Sequence, residues 1–286
     1  HDTESRQKSS ISLSDSNTLP VELRRVSKAF RVVDRPQGGP DASSETGDRA
    51  RGPRIVPVLD NISLSVAREE FVTLIGPSGS GKSTLLNIIV GLMQPDEGEI
   101  LLHGQPTTDR IGRVGYMPQR DLLLPWRSVL DNVLLGPEVM GRDLDEARRE
   151  AIELLPLFGL DGFADHYPAT LSGGMRQRAA LLRTFLCRQE IVLLDEPFGA
   201  LDALTRRTMR RWLLGVWSRF RQALILVTHD VDEAIALSDR VYVFSARPGR
   251  IVDEVSIDLP RPRDEHDGAA AGLAPYRERL LAALGL

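Results

Sequence analysis

The sequence predicts an α/β protein built on a parallel sheet. The apolar stretch FVTLI at 71–75 leads through a glycine-rich turn into a helical stretch, STLLNIIVGL at 83–92. A strand, a loop and a helix in this order begin a parallel α/β unit, whose strands are apolar throughout because both faces of the sheet are covered. Further strands of this buried character, several of them separated by helices, are expected at 114–117, 191–194, 223–227 and 241–244.

The segments before this core differ from it in composition. Residues 1–20 are polar and aperiodic, which predicts a disordered tail. Residues 34–54 are rich in Gly, Pro, Ser and charged side chains, which predicts a mobile surface insert. The stretches 21–30 and 61–66 alternate polar and apolar residues, as half-buried strands do.

Between about 119 and 187 the chain is predicted to be mostly helical, forming a subdomain that is inserted into the α/β core. One helix is expected over 143–160, because Asp143 can cap it and Glu146 follows three residues later. Its apolar residues recur at helical spacing, which indicates core packing. The C-terminal segment 261–286 is expected to be a polar linker that leads to a short helix near PYRERLLAAL.

Composition limits the possible classes of function. The 286 residues include 36 basic and 40 acidic side chains, a formal charge of -4, which argues against general nucleic-acid binding. The one cysteine, Cys187, cannot form a disulfide within the chain, and no apolar run reaches the roughly 18 residues of a membrane-spanning helix. No export pattern occurs at the N-terminus. We therefore expect a cytoplasmic protein that would reach a membrane only through a partner.

A phosphate-binding motif lies between the first buried strand and its helix. The stretch GPSGSGKS at 76–83 fits the P-loop pattern G-x-x-x-x-G-K-[ST], in which backbone N–H groups and a helix N-terminus face phosphate oxygens. Lys82 would bind the β- and γ-phosphates, and the Ser83 hydroxyl would bind Mg²⁺. The alternative is a glycine-rich turn without a ligand. The expected binding residues are Gly76, Pro77, Ser78, Gly79, Ser80, Gly81, Lys82, Ser83 and Thr84.

Two carboxylates follow another predicted strand, in IVLLDEP at 191–197. Asp195 can reach a Mg²⁺ ion held by Ser83, and Glu196 is placed to accept a proton from an attacking water. Without the P-loop upstream, such a pair would be read as a solvated end of a strand.

The predicted strand at 223–227 is followed by THD at 228–230. His229 lies at the edge of the sheet where ligands bind in such folds, so we expect it to contact the γ-phosphate. Asp230 and Glu233 have the spacing of a capping box, which indicates a structural role for Asp230.

A second helix start with phosphate-binding character occurs at 171–178, LSGGMRQR. Ser172 can cap this helix, while Gly173 and Gly174 let a ligand approach the backbone. A helix N-terminus with a small capping residue stabilises anions. The alternative is a capped helix without a ligand.

Taken in order, these motifs resemble those of the ATP-binding subunit of ABC transporters, over about residues 21–260. GPSGSGKS resembles the Walker A motif, IVLLDEP resembles Walker B, and LSGGMRQR resembles the ABC signature. The resemblance implies a P-loop NTPase (RecA-like) core with an antiparallel β subdomain and an inserted helical subdomain. It also implies ATP and Mg²⁺ as cofactors and ATP hydrolysis as the reaction.

The resemblance assigns further roles to individual residues. Gln119 in GYMPQRD resembles the Q-loop glutamine, which implies a place at Mg²⁺ and in catalysis, beside Lys82, Glu196 and His229. Phe30 resembles the aromatic residue that stacks on adenine, although Arg31 replaces the usual glycine, and an unrelated packing role for Phe30 is the alternative.

Head-to-tail pairing of two copies is also implied by the resemblance. Each nucleotide would lie between the Walker A motif of one chain and the signature of the other. The residues that would act on the nucleotide of the other chain are Ser172, Gly173, Gly174 and, in the D-loop ALDA, Asp202.

Three stretches resemble importers of nitrate, taurine and aliphatic sulfonates: LLLPWRSVLDNVLLG at 122–136, FSARPGRIV at 244–252 and PYRERLLAAL. This resemblance implies a peripheral position at the cytoplasmic face of the cell membrane. Residues 119–126 would receive a helix of a transmembrane permease, which in turn meets a solute-binding protein. Packing of Trp126 within the helical subdomain is the alternative. A non-transport ABC ATPase and an importer of another solute are the alternative functions, and copurification with a helical membrane protein would distinguish transport from non-transport.

Overall fold

The computed structural model describes residues 18–32, 54–199, 201–263 and 270–286. The predicted α/β class is confirmed: these residues form a six-stranded sheet and a separate four-stranded sheet. The predicted N-terminal tail and insert lie outside the described residues, except for 18–20 and Arg54. Pro20 is buried, and its carbonyl accepts a hydrogen bond of 3.0 Å from the backbone N–H of His103, so the end of the predicted tail is held on the fold.

The strands, in chain order, are β1 (Val21–Val32), β2 (Arg54–Val66), β3 (Phe71–Ile75), β4 (Glu97–Leu102), β5 (Gln105–Pro106), β6 (Gly115–Met117), β7 (Ile191–Asp195), β8 (Ala223–Thr228), β9 (Arg240–Phe244) and β10 (Ile251–Ser256). The helices are α1 (Lys82–Val90), α2 (Val129–Val133), α3 (Leu135–Val139), α4 (Leu144–Leu154), α5 (Gly173–Leu186), α6 (Ala203–Phe220), α7 (Val231–Leu237) and α8 (Ala270–Leu284). A 3₁₀ turn, Pro168–Thr170, precedes α5.

The six-stranded sheet has the order β10-β9-β3-β8-β7-β6. Every neighbouring pair from β9 to β6 is parallel, and β10 pairs antiparallel with β9 at one edge. β3, β7 and β8 are buried along their whole length, as expected for central parallel strands. Because these three strands are adjacent, the loops after Ile75, Asp195 and Thr228 leave the sheet at the same edge.

The second sheet is antiparallel, with the order β2-β1-β4-β5. Helix α1 lies between the two sheets, and its Leu85, Leu86, Ile88 and Ile89 are buried together with apolar residues of both. β2 begins at Arg54, seven residues before the start predicted at 61. The alternation that marks a strand is interrupted there by Pro57 and Asp60, and register shifts accommodate the added length on β1.

The helical subdomain contains α2, α3 and α4. Apolar residues of α2, α4 and α5 share one hydrophobic cluster, and α3 also contacts α5. The predicted cap of α4 is confirmed, because the Asp143 carboxylate accepts hydrogen bonds from the backbone N–H groups of Asp145 and Glu146 at 2.9 and 3.0 Å. The predicted end of this helix at 160 was wrong. α4 ends at Leu154: Leu155 keeps helical backbone angles and bonds to Ala151, but Pro156 has no N–H with which to continue the helix.

The helix predicted near PYRERLLAAL is present as α8, which begins earlier, at Ala270, and contains Pro275. Leu273 and Leu280 of α8 are buried against residues of α7, β9 and β10. Arg263 of the preceding linker is also buried, donates hydrogen bonds to carbonyls that include those of Ile235 and Ile257, and has its pKa lowered to about 10 by that burial.

The turn between β9 and β10 packs against the glycine-rich loop. The backbone N–H of Gly249 donates to the Val58 carbonyl at 2.8 Å, and the Asp60 N–H donates to the Gly249 carbonyl at 3.0 Å. A Cβ atom at Gly249 would lie 2.0 Å from the carbonyl oxygen of Ser80, so only glycine fits this contact. The turn therefore packs directly against the backbone of the loop at Ser80.

We expect Gly249→Ala to lower the free energy of unfolding by about 2 kcal/mol, because the new methyl group displaces the backbone of the loop at Ser80. Urea denaturation measures this change. The matched control is Gly215→Ala in α6, where a Cβ would meet nothing within 4 Å, and which should raise stability by about 0.5–1 kcal/mol. Equal stabilities of the two variants would contradict the contact.

Candidate functional site

The glycine-rich loop between β3 and α1 forms the floor of a cavity. Residues 78–84 line it together with Gln119, Glu196 and Arg247. Gly79 has a φ of 76°, and Gly81, the N-cap of α1, has a φ of 96°. These left-handed conformations turn the backbone so that the N-terminus of α1 opens toward the cavity, as anion binding at a helix start requires.

Lys82 is buried at the centre of this loop. Its ammonium donates hydrogen bonds to the carbonyls of Gly76 at 2.7 Å and Pro77 at 3.0 Å, and to the Ser80 hydroxyl at 3.1 Å. Burial lowers the pKa of Lys82, while the negative charges of Glu196 and Asp195 oppose that shift. The loop thus keeps one cation at the cavity in an environment that water does not fully solvate.

Asp195 ends β7 beside the start of α1, and its buried carboxyl group accepts a hydrogen bond from the Ser83 side chain. Burial raises the pKa of Asp195, and the neighbouring carboxylate of Glu196 adds to that shift, whereas the bond from Ser83 opposes it. The structure therefore brings together two of the three residues that the sequence predicted as metal ligands, whereas the third, Gln119, contacts Glu196. A hydroxyl and a carboxylate at one point provide oxygen donors of the kind that Mg²⁺ prefers.

Glu196 is contacted from two sides by residues that the sequence predicted beside it. The Gln119 side-chain amide donates a hydrogen bond to Oε2 of Glu196 at 3.1 Å, and Nδ1 of His229 lies 3.4 Å from Oε1. The backbone N–H of Glu196 donates to the Val227 carbonyl at 2.9 Å, which fixes the residue to β8. Glu196 has a φ of 45°, a conformation that is uncommon for a residue with a side chain and that marks functional sites.

The residues after His229 hold the start of α7. The Asp230 carboxylate accepts a hydrogen bond of 3.0 Å from the Glu233 N–H and pairs with Arg210 at 2.6 Å, which confirms its capping role. The second hydrogen bond of a capping box, from the Asp230 N–H to the Glu233 carboxylate, does not form at this helix start. The Glu233 carboxyl group bonds to the Thr228 hydroxyl, which in turn accepts the Asp230 N–H at 3.1 Å.

The signature segment and the D-loop do not line the cavity of their own chain. Ser172 caps α5, since its hydroxyl accepts the Met175 N–H at 3.2 Å, and the residue is exposed, as is Gly173. Asp202 caps α6 by accepting hydrogen bonds from the backbone N–H and the hydroxyl of Thr205 at 3.0 and 2.6 Å. The predicted cap at Ser172 forms, Asp202 is a cap that the sequence did not predict, and both residues are accessible from outside the chain.

Phe30 is also separate from the residues that line the cavity, and 37% of its surface is exposed on β1. Burial in a packed core does not account for this side chain. Trp126 is 71% exposed and Leu122 is 52% exposed, so packing of Trp126 within the helical subdomain is excluded. The predicted apolar stretch is not uniform, however, because Leu123 is buried in the core of that subdomain.

Arg247 is the cavity residue that the sequence analysis missed. It lies in the turn between β9 and β10, and its Nε donates to the Gly79 carbonyl at 3.3 Å. The available signal was an arginine that follows a buried parallel strand at the edge where the other site residues meet.

Comparison with known proteins identifies the family. Residues 59–199 match the family model of ABC transporters. The formylaminopyrimidine import ATP-binding protein ThiZ of Halalkalibacterium halodurans is 46% identical over 207 residues, which cover 72% of this chain and 81% of the relative. The chain belongs to the ABC transporter family. The resemblance inferred from its motifs is therefore confirmed.

Two further relatives of this ABC protein carry names from the predicted branch. The aliphatic sulfonates import ATP-binding protein SsuB 2 of Burkholderia cenocepacia is 46% identical over 225 residues, 78% of this chain and 80% of the relative. The taurine import ATP-binding protein TauB of Rhizobium johnstonii is 44% identical over 216 residues, 74% of this chain and 81% of the relative.

The fold of this ABC protein matches a dimeric structure of a bacterial ABC transporter cassette. The TM-score is 0.67 at 30% sequence identity, covering 84% of this chain and 100% of the cassette. The same cassette in a post-hydrolysis state with ADP and Pi gives a TM-score of 0.66. The predicted P-loop NTPase fold is thereby confirmed. Within the described part of the chain, no helix has both the length and the apolar character needed to cross a membrane.

We expect the buried carboxyl group of Glu233 to make stability depend on pH. Burial raises its pKa to about 7 from 4.5, so the folded chain retains a proton that the unfolded chain releases. This stabilisation is complete below pH 4.5 and is lost as the pH rises to 7, a change of roughly 3 kcal/mol. Urea denaturation of the wild type and of Glu233→Gln across this range measures it.

In that experiment, the stability of the wild type relative to Glu233→Gln should fall between pH 5 and pH 7.5. The control is Glu278→Gln, which removes an exposed carboxylate on α8 and should leave the pH profile close to that of the wild type. Parallel profiles for the wild type and Glu233→Gln would show that Glu233 does not titrate in this way.

Proposed function

We propose that this ABC protein is the ATP-binding and ATP-hydrolysing subunit of an importer and that two copies pair head to tail around two nucleotides. The observation that carries the proposal is the joint contact of Gln119 and His229 with Glu196 at the edge of the P-loop cavity. A carboxylate oriented in this way suits activation of a water beside a bound phosphate chain. The names of the relatives and the ADP-containing cassette support ATP as the nucleotide.

The phosphate chain of ATP would bind across the loop at 76–83 and Thr84. Lys82 would neutralise part of the negative charge of the β- and γ-phosphates, and the N-terminus of α1 would add its partial positive charge. The Lys82 ammonium is oriented by its hydrogen bonds to the carbonyls of Gly76 and Pro77. Phosphate oxygens can take the place of these carbonyls when nucleotide binds. On β1, the exposed ring of Phe30 offers a face on which adenine can stack.

Mg²⁺ would be held by the Ser83 hydroxyl and the Asp195 carboxylate, with the Gln119 amide oxygen as a further ligand. Among the described residues, no group of three His, Cys, Asp or Glu side chains forms a metal cage. Few protein ligands suit Mg²⁺, which is usually bound through one or two carboxylates and the phosphates of the substrate. When bound, the ion neutralises charge that develops on the phosphate oxygens.

Glu196 would accept the proton of the attacking water. Gln119 and His229 contact its carboxylate, and His229 would also contact the γ-phosphate. Orientation by two neighbours lowers the entropic cost of placing the base and the water in line with the phosphate.

The remaining phosphate contacts would come from the second copy. Ser172, Gly173 and Gly174 form a helix start that can bind an anion but lies outside the cavity of its own chain, and Asp202 is exposed in the same way. Head-to-tail pairing places these groups against the nucleotide of the other copy. The dimeric structure of the related cassette supports such a pairing.

Residues 119–126 form the proposed contact with a transmembrane permease. Leu122 and Trp126 are exposed apolar side chains that follow Gln119 directly, so a helix seated on them would sense changes at Glu196. A solute-binding protein would act through the permease. This arrangement would place the chain at the cytoplasmic face of the cell membrane. The relatives named above favour taurine, aliphatic sulfonates or a comparably small solute, and nitrate is a further candidate from the resemblance of the motifs.

We expect Glu196→Gln to bind ATP with nearly unchanged affinity and to lower steady-state hydrolysis at least about a hundredfold, because the amide cannot accept the proton. Phosphate release and ATP binding by the purified protein measure the two effects. The control is Glu190→Gln, which removes an exposed carboxylate just before the opposite end of β7 and should leave turnover unchanged. Normal turnover by Glu196→Gln would remove Glu196 from the role of base.

We expect two inactive variants to complement each other, because each site draws on both chains. Ser172→Asp keeps a helix cap but sets a negative charge against the phosphate of the other copy, and Lys82→Met removes the cation of its own site. The mixture should recover up to about one quarter of wild-type hydrolysis, since half of the dimers carry one intact site.

Ser172→Asn is the matched control, because it has the same shape and capping ability as the Asp variant without its charge. It should hydrolyse ATP alone. A mixture that stays inactive although heterodimers are detected by a tag on one chain would argue against sites shared between chains.

A further inference from the structure

The turn between β9 and β10 brings a second cation to the P-loop cavity. Arg247 lines the cavity with residues 78–84, Gln119 and Glu196, and its Nε donates to the carbonyl of Gly79 at 3.3 Å. Lys82 and Arg247 are the two cationic side chains among these lining residues. Lys82 comes from the loop itself, whereas Arg247 comes from a turn more than 160 residues later in the chain.

The backbone of this turn is fixed at several points. The Ser245 N–H donates to the Arg250 carbonyl, and the Arg250 N–H donates to the Ser245 hydroxyl, both at 2.9 Å. Gly249 is held against the loop by its bond to the Val58 carbonyl and by the close approach of the Ser80 carbonyl. Arg247 is therefore presented from a supported turn, and its position relative to Gly79 follows from the packing of that turn.

The side chain of Arg247 has donors to spare. It is exposed and, within the described part of the chain, forms no ion pair with a carboxylate, in contrast to Arg250 of the same turn, which pairs with Asp60. The bond from Nε to Gly79 orients the guanidinium, and its terminal Nη groups form no hydrogen bond within the described part of the chain. A planar guanidinium with free donors binds phosphate oxygens in a bidentate manner.

We propose that Arg247 is a phosphate-binding residue of the nucleotide site, which contacts the phosphate chain of ATP alongside Lys82. The inference rests on the proposed function, since it assigns one more contact to the same nucleotide. Its physical basis is charge: the triphosphate carries more negative charge than one lysine and one divalent cation neutralise, and the cavity already contains the carboxylates of Glu196 and, beside it, Asp195.

The test measures the affinities of ATP, ADP and pyrophosphate for the full chain, by direct titration and by competition. Arg247→Ala should weaken all three by about tenfold, because a charge-assisted contact to phosphate is lost. Arg247→Lys should recover part of that loss, since it keeps the charge but not the planar fork. Pyrophosphate is included because it has no base or sugar, so a lower affinity for pyrophosphate reports the loss of a contact to phosphate alone.

Arg250→Ala is the matched control: it removes an arginine of the same turn whose partner is Asp60, and it should leave the three affinities unchanged. Equal affinities for the wild type and Arg247→Ala would overturn the inference. So would a loss for ATP without a loss for pyrophosphate, which would indicate a contact to the nucleoside, or an equal loss in Arg250→Ala, which would indicate distortion of the turn. A wild-type chain that binds no ATP would instead overturn the proposed function itself.

Discussion

The whole site depends on the parallel pairing of β3, β8 and β7. In this register Ile75 lies beside Thr228, and Asp195 lies beside Val227, so the residues that follow each strand emerge together. The glycine-rich loop, Glu196 and His229 are thereby brought together from positions far apart in sequence. A slip of one residue between β7 and β8 would turn Asp195 to the other face of the sheet, away from Ser83, since successive side chains point to opposite faces. The packing of three apolar strands thus determines the geometry of the polar groups at their ends.

The charged groups at this edge are held where the charged state is costly. Burial lowers the pKa of Lys82 and raises the pKa of Asp195, so both ions are less stable there than in water. Each is retained by local bonds, from Lys82 to carbonyls of the loop and from Ser83 to Asp195. Dipoles and charges fixed in this way need little reorganisation when a highly charged ligand arrives, and interactions in a poorly solvated site are stronger than in water. The free-energy cost of keeping Lys82 and Asp195 charged while buried is therefore localised at the cavity. A bound phosphate chain with its cation would offset that cost.

Local signals in the sequence predicted most of this arrangement. The buried strands, the caps Ser172 and Asp230, and the loop at 76–83 are encoded within a few residues each, so composition and spacing reveal them. Other features depend on long-range contacts, which local signals do not reveal. The first half of β2 forms because β1 offers a partner, and Leu123 is buried because helices from elsewhere surround it. Arg247 was missed for the same reason: its position after a buried strand indicates only the edge of the sheet, whereas its approach to Gly79 depends on how the β9–β10 turn packs on the loop.

The two helix starts with phosphate-binding character differ in what the fold does with them. At α1 the N-cap is Gly81, which offers no side chain to the orphan N–H groups, so those groups remain available to the cavity. At α5 the N-cap is Ser172, whose hydroxyl satisfies the Met175 N–H, and the helix start is exposed away from that cavity. One folded chain therefore supplies only part of the phosphate contacts at the α1 cavity. Its α5 start faces no nucleotide bound in that cavity. The exposed start of α5 on one copy would complement the cavity of a second copy. A two-fold axis that brings these two surfaces together also brings the α5 start of the second copy to the cavity of the first. This complementarity is the physical argument for the proposed head-to-tail pairing, because that arrangement would engage both helix starts with the same nucleotide.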